Sequence, residues 1–239
     1  MTRLLLALTV MASPVLAGEP TAEEILKKYD SMMGPQSFES DSQMTSTRED
    51  GSTRTYVMHM LKKDADKFRV FFNNPASVKG QEILRIGDNA WVYLPNLKRA
   101  TRIANRESFQ GGDFNNADVL RVNYVLDYSG TMVASDVPDT WCVQLKAKNP
   151  ETAYDAITLY VHKGDLMPVR GKYYGTSGKL IRSAEFKEVK ELQKGFLRPT
   201  RIIMHNEIVP ARSSEMVMTS MKLDVEVPAQ RFTQTDLGK

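Results

Sequence analysis

Three histidines, one cysteine and the scattered carboxylates are the residues with which this chain could do chemistry. His59, His162 and His205 lie far apart, and no HxH or HExxH spacing joins any two of them. A zinc site here would need three distant strands to converge, because no local spacing sets two imidazoles side by side. Cys142 stands alone in the alternating run WCVQLKA. It can form no internal disulfide, and its setting is that of a small buried strand residue rather than a reactive thiol. Asp64 and Asp66 fall in a turn and need no catalytic reading. The letters GGDF at 111–114 match part of a nucleotide-cyclase signature but lack its α/β surroundings. No GxSxG elbow, P-loop or zinc-ligand spacing is present. The residues predict no catalysis, no metal and no cofactor, although glycosidase carboxylates would leave no short signature.

Residues suited to binding are easier to find. Met58 and Met60 alternate on one strand pattern, and Met216 and Met218 on another. Methionine is flexible and polarisable, so such pairs suit a surface accepting variable apolar shapes; filling an ordinary core is their commoner role. Trp91 and Tyr93 share one strand face, and Val92 and Leu94 the other, so one pair should line the interior. Phe109 and Phe114 flank Gln110-Gly111-Gly112-Asp113. Two rings on a glycine-rich loop could gate a cavity, or could simply pin the loop to the sheet. Lys98, Arg99, Arg102 and Arg106 form a local basic group. It could meet an acidic partner or a lipid headgroup, or could be a solvated strand edge.

These residues need a scaffold, and the periodicity describes one. AEEILKKYDSMM reads as a helix capped by Thr21, with Glu24 completing a capping box and Gly34-Pro35 ending it. Ile25, Leu26, Tyr29, Met32 and Met33 form its apolar stripe. The period then changes from 3.6 to 2. Candidate strands span 40–48, 53–63, 67–73, 81–87, 90–94 and 99–103. An irregular stretch with a short helix from Asn115 or Asn116 follows. Alternation resumes over 126–134, 140–148, 156–162, 167–174, 179–189, 196–206 and 213–225. One-sided alternation, as in Ile157, Leu159 and Val161 against Thr158, Tyr160 and His162, predicts an antiparallel sheet with one wet face. With no linker, residues 18–239 read as a single domain. The expected fold is mainly β: a strongly curved sheet or incomplete, half-open antiparallel barrel covered by helices.

The first 17 residues, MTRLLLALTVMASPVLA, read as a cleaved secretory signal peptide: a basic start, a short apolar run and small residues before the cut. Glu19 stands where a lipid-anchored protein would carry cysteine. The expected product is exported, cleaved, soluble and without a lipid anchor, working outside the cytoplasm. No later run is long and apolar enough for a transmembrane helix. The formal net charge is +3, and the basic residues are scattered, which argues against nucleic acid as a partner.

The segments WVYLPNLKRATRI, SFQGGDFNNADVL and the closing KLDVEVPAQRFT, with the signal peptide and first helix, resemble the LolA-like family of outer-membrane lipoprotein-sorting proteins. The resemblance implies an incomplete barrel lidded by helices around an apolar cavity. It implies a non-enzymatic carrier of acyl chains, of lipoproteins or other lipids, through the periplasm. An inner-membrane exporter and an outer-membrane acceptor would be its partners. Met58, Met60, Trp91, Tyr93, Phe109 and Phe114 are the candidates for lining or gating that cavity. The alternatives are an accessory protein docking on an envelope export complex and, behind it, an envelope hydrolase with two convergent carboxylates.

Overall fold

The computed structural model describes residues 18–150 and 152–239, so the expected signal peptide at 1–17 lies outside the described residues. Helix α1 (Ala22–Met33) begins where the sequence places it. Thr21 Oγ1 accepts from Glu24 N at 3.2 Å, and Glu24 returns a carboxylate oxygen to Thr21 N at 2.8 Å. Two otherwise orphaned backbone donors are thereby satisfied. Ile25, Leu26, Tyr29, Met32 and Met33 are all buried. At roughly 1.5–3 kcal/mol per large apolar side chain, this stripe fixes the helix against the sheet.

Thirteen antiparallel strands follow: β1 (Phe38–Thr47), β2 (Thr53–Lys63), β3 (Lys67–Asn74), β4 (Glu82–Ile86), β5 (Asn89–Leu94) and β6 (Arg99–Ile103) precede two short helices. These are α2 (Asn116–Leu120) and α3 (Tyr124–Asp127). Strands β7 (Tyr128–Val133), β8 (Thr140–Ala147), β9 (Ala156–His162), β10 (Pro168–Tyr174), β11 (Leu180–Gln193), β12 (Phe196–Asn206) and β13 (Ser213–Leu223) complete the sheet. The order is β6-β5-β4-β3-β2-β1-β13-β12-β11-β10-β9-β8-β7. Two meanders are thus joined through the β1–β13 pair, and β6 and β7 remain as unpaired edges. The sheet curves without closing. The chain between those edges, residues 104–127, carries α2 and α3 and links the two sides. Within it Arg106 reaches Asp155 at 3.1 Å.

The expected strands and the half-open architecture are present. Three local differences have physical causes. Residues 124–127 form a helical turn because Asn123 Oδ1 accepts from Leu126 N at 3.2 Å, so β7 starts later than the alternation implies. The outer face is not uniformly wet: Thr158 and Tyr160 are buried beside the inward-facing residues of β9. Cys142 pairs directly with Tyr160 across β8 and β9, and burial pushes its thiol pKa up.

The third difference is larger. Residues 224–239 fold back over the outer face, where Val227, Phe232 and Leu237 pack on Leu84 with Leu61, Ile86 and Tyr93. Arg69, fully buried on β3, ties this segment down. Its guanidinium pairs with Glu82 of β4, reaches the Asp236 carboxylate at 2.6 Å and donates to the Asp236 carbonyl at 2.8 Å. Strand alternation could not reveal this cover, because the covering segment has no period of its own.

Candidate ligand-binding site

The concave face of the sheet and the three helices enclose two contiguous lobes. One is aromatic, lined by Tyr29, Tyr124, Tyr128, Tyr154 and Tyr173 with Phe186. Tyr29 stacks on Tyr124 with centroids 4.6 Å apart, and Tyr154 lies 4.6 Å from Tyr173. Burial raises the hydroxyl pKa of Tyr29, Tyr124, Tyr154 and Tyr173, so all stay protonated. The other lobe is rich in methionine: Met33, Met60, Met216 and Met218 share it with Phe38 and Phe68. Met33, Phe114, Asp118, Val122 and Ile202 border both lobes. Their free volumes are about 50 Å³ and about 80 Å³. A site for a small organic ligand typically offers roughly 300–1,000 Å³. The closed interior therefore has room for water but not for a long chain unless the helices move.

The helices are held by polar contacts to their backbone. Asp30 of α1 accepts from Tyr124 N at 2.7 Å and Val125 N at 2.9 Å, capping α3. Lys62 of β2 donates to the Gly34 and Pro35 carbonyls at 2.6 and 2.7 Å, just past the end of α1. Arg85 of β4 donates to the carbonyls of Leu120 and Ala65, both at 3.1 Å. Cations suit helix C-terminal carbonyls, which carry the negative end of the backbone dipole. Gly34 is needed where it stands, since a Cβ there would lie 2.7 Å from the Val122 carbonyl oxygen. Burial pushes Lys62 down to about 8 and Arg85 down to about 10. Burial likewise pushes Asp30 and Asp118 up to about 6, although Asp118 accepts from Asn115 N and the Tyr154 hydroxyl.

The structure sorts the six residues singled out in the sequence. Met58 and Met60 face inward and are buried, and Met60 lines the methionine lobe. Met216 and Met218 join it from β13. A bulge at Thr219 then switches parity, so Met221 faces inward as well. Phe114 borders both lobes. Phe109 is fully buried 5.9 Å from Phe72 and lines neither lobe.

Trp91 and Tyr93 require a correction. Ala90 and Val92 are the inward residues of β5, packed in the main core, so Trp91 and Tyr93 point outward. Tyr93 packs against the folded-back segment near Leu84. Neither is placed to touch a chain held in the interior.

The 109–114 loop is pinned rather than free. Asp113 is fully buried, and its carboxylate accepts from Asn206 Nδ2 at 2.8 Å and from Ser214 Oγ at 3.1 Å. Its backbone carbonyl accepts from Arg182 Nε at 2.8 Å. Gly112 permits this approach, because a Cβ would sit 2.7 Å from Ser46 Oγ. Of the two readings of the paired phenylalanines, this geometry supports the anchor.

Residues important to the interior also escaped sequence reasoning. Lys62 has the parity of Met58 and Met60, and Arg198 that of Ile202 and Met204. A charge in the inward register of an apolar strand was the available signal. The tyrosines of the aromatic lobe come from α1, α3, β7, β10 and the 148–155 connection, and nothing in local spacing unites them.

The histidines stay apart. His59 pairs with Asp41 at 2.9 Å, His162 with Asp139 and Asp165 at 3.0 and 3.1 Å, and His205 with Glu185 at 3.2 Å. Among the described residues no group of three His, Cys, Asp or Glu side chains is placed to hold a metal. No described helix is long and apolar enough to cross a membrane. On the edge strand β6, Arg99 and Arg102 are exposed, as a solvated edge requires.

An unclosed antiparallel sheet with helices over its concave face is the fold of the LolA superfamily and of outer-membrane lipoprotein-sorting proteins. A LolA superfamily protein from Nitrosomonas europaea is similar with a TM-score of 0.80 and 27% identity, over 90% of this chain and 98% of its own. An outer-membrane lipoprotein-sorting protein domain from Vibrio parahaemolyticus shares the fold with a TM-score of 0.80 and 19% identity, over 91% and 98% of the two chains. A DUF1329 family protein from Desulfovibrio piger shares it at 0.79 and 20%, over 90% and 97%. A family model described as "-like: Uncharacterized protein" matches residues 64–239, and the chain belongs to that family. No curated protein matches the chain in sequence.

Proposed function

We propose that this protein is a periplasmic, non-enzymatic carrier that takes acyl chains of lipoproteins or other lipids into its interior for transfer toward the outer membrane. The observation that carries this reading is the paired-lobe interior. One wall is aromatic, the other rich in methionine, and Phe114 stands between them. Thioethers and long unbranched side chains repack around different apolar shapes at little cost, which a carrier of varied chains requires. The small free volume fits a resting carrier whose helices close over the void. Filling the interior would then mean moving α1 or the α2–α3 segment, whose backbone is held by Asp30, Lys62 and Arg85. The fold shared with the Nitrosomonas europaea protein supports the same reading. Residues 18–239 act in it as one domain, and an inner-membrane donor and an outer-membrane acceptor are its partners.

The test is binding of a fluorescent fatty-acyl probe to protein purified from the periplasm. Saturable binding without metal, nucleotide or covalent change supports a carrier. An interior that binds no probe, in a protein that instead co-purifies with an envelope complex, would favour the docking alternative. Intact mass starting at Gly18 with no added diacylglycerol is expected of the same sample.

A further inference from the structure

The methionine lobe holds more positive charge than an apolar cavity needs. Lys62, Arg85 and Arg198 all border it, and each is buried. Among the described residues, no carboxylate forms an ion pair with any of the three. Lys62 is satisfied by two carbonyls, and Arg85 by two through one nitrogen only. Arg198 is the most isolated. Its Nε donates to the carbonyl of its own neighbour Pro199 at 3.3 Å, and one terminal nitrogen touches the weakly accepting Met33 sulfur at 3.9 Å. Its other terminal nitrogen has no partner. Arg85 Nε and the Ser42 hydroxyl, on the same lobe, are also buried without partners. Asp118 is the one carboxylate on the lobe, and its contacts are with Tyr154 and Asn115.

An unpaired guanidinium in a methionine-lined space is strongly disfavoured, because desolvation is not offset by any counter-charge. Planar guanidinium donors match the oxygens of a carboxylate or phosphate. Three unfilled donors, on Arg198, Arg85 and Ser42, belong to residues that border one small space whose walls are otherwise suited to an acyl chain.

We infer that this lobe is a headgroup site: it takes the carboxylate or phosphate of an anionic single-chain or two-chain lipid, with Arg198 as its principal contact, Arg85 and Ser42 beside it and Lys62 adding charge. The inference rests on the acyl-carrier reading and narrows its cargo to anionic amphiphiles. The chain would run from these cations past Phe114 toward the tyrosines. A neutral ester of the same chain would leave the guanidinium unpaired and should bind more weakly.

The experiment compares hexadecanoic acid, its methyl ester and hexadecyl phosphate, each below its micelle concentration, on the parent protein and on Arg198→Met. The parent should bind the acid or the phosphate about tenfold or more tightly than the ester. Whichever anion binds more tightly identifies the headgroup chemistry. Arg198→Met should lose that preference while still binding the ester. Because the change removes an unpaired buried charge, the ligand-free variant should melt no lower than the parent. Equal binding of acid, phosphate and ester by the parent would overturn the headgroup site while leaving the carrier reading intact. So would an Arg198→Met variant that keeps the preference. Binding of none of the three would overturn both.

Discussion

Replacing Phe114 by alanine should weaken the empty protein and strengthen its response to ligand. The ring is 4% exposed and borders both lobes. Deleting it empties on the order of 100 Å³, which at about 24 cal/mol per Å³ costs about 2.4 kcal/mol for the void alone. Lost transfer energy adds to this, but the ring already abuts two gaps, so the total should stay near the low end of the range for Phe→Ala, about 3 kcal/mol. For a chain of this size that corresponds to a fall in Tm of about 6–12 °C, read by circular dichroism. The two lobes would merge, and an acyl probe should fill the new space. At one hundred times its Kd a ligand restores about 2.7 kcal/mol, most of the loss. Phe109→Ala is the control. It should fall at least as far, because Phe109 is fully buried, yet gain no more from the probe than the parent does. Changing both rings together would remove a large part of a typical domain's stability of about 5–15 kcal/mol and would test folding rather than binding. If the probe raises the Tm of Phe114→Ala less than that of the parent, Phe114 does not stand between two halves of a ligand site.

Other outcomes follow from the same contacts. Arg69→Ala leaves Glu82 buried without its partner and frees residues 224–239. Urea unfolding should show a loss of about 3–5 kcal/mol, and a loss below about 1 kcal/mol would mean the fold-back is incidental. Gly112→Ala forces a methyl against Ser46 Oγ and should destabilise by about 1–3 kcal/mol, again by urea titration. Asp30 and Asp118 have folded pKa values raised to about 6 from 3.8, so the native state holds their protons more tightly than the unfolded chain. Their contribution is therefore complete below about pH 4 and lost as pH rises through about 6. Stability should fall between about pH 4 and about pH 6.5 and level off above that, and Asp118→Asn should flatten that slope. An unchanged slope would show that Asp118 is not held protonated by burial.

The scaffold was largely readable because antiparallel strands with one apolar face write a period of 2 into the chain, and the capping box writes the start of α1. Parity put Met58 and Met60 on one face, which is the inner one, although only Met60 borders a lobe; Phe114 borders both. Trp91 and Tyr93 lie on the outer face instead, because parity pairs residues without saying which face is inner. Val92 could have decided it only by comparison with Ile83, its inward neighbour on β4. The fold-back of residues 224–239 depends on Arg69 meeting Asp236 across 167 positions, a pairing no window detects. The tyrosine lobe and the charged lobe are assembled from both meanders and the helices, so only the curvature of the folded sheet reveals them. Lys62 and Arg198 were legible in principle, as cations in inward register, but a long basic side chain on a strand ordinarily reads as solvent-facing.

The proposed carrier would hold lipid in its interior. Native mass spectrometry of protein released from the periplasm without detergent tests it most directly. A carrier should give a species with one acyl lipid bound, stripped to bare polypeptide by collisional activation and regained on incubation with a fatty-acyl probe. A spectrum of bare polypeptide alone, unchanged when the probe is added in excess, would contradict it.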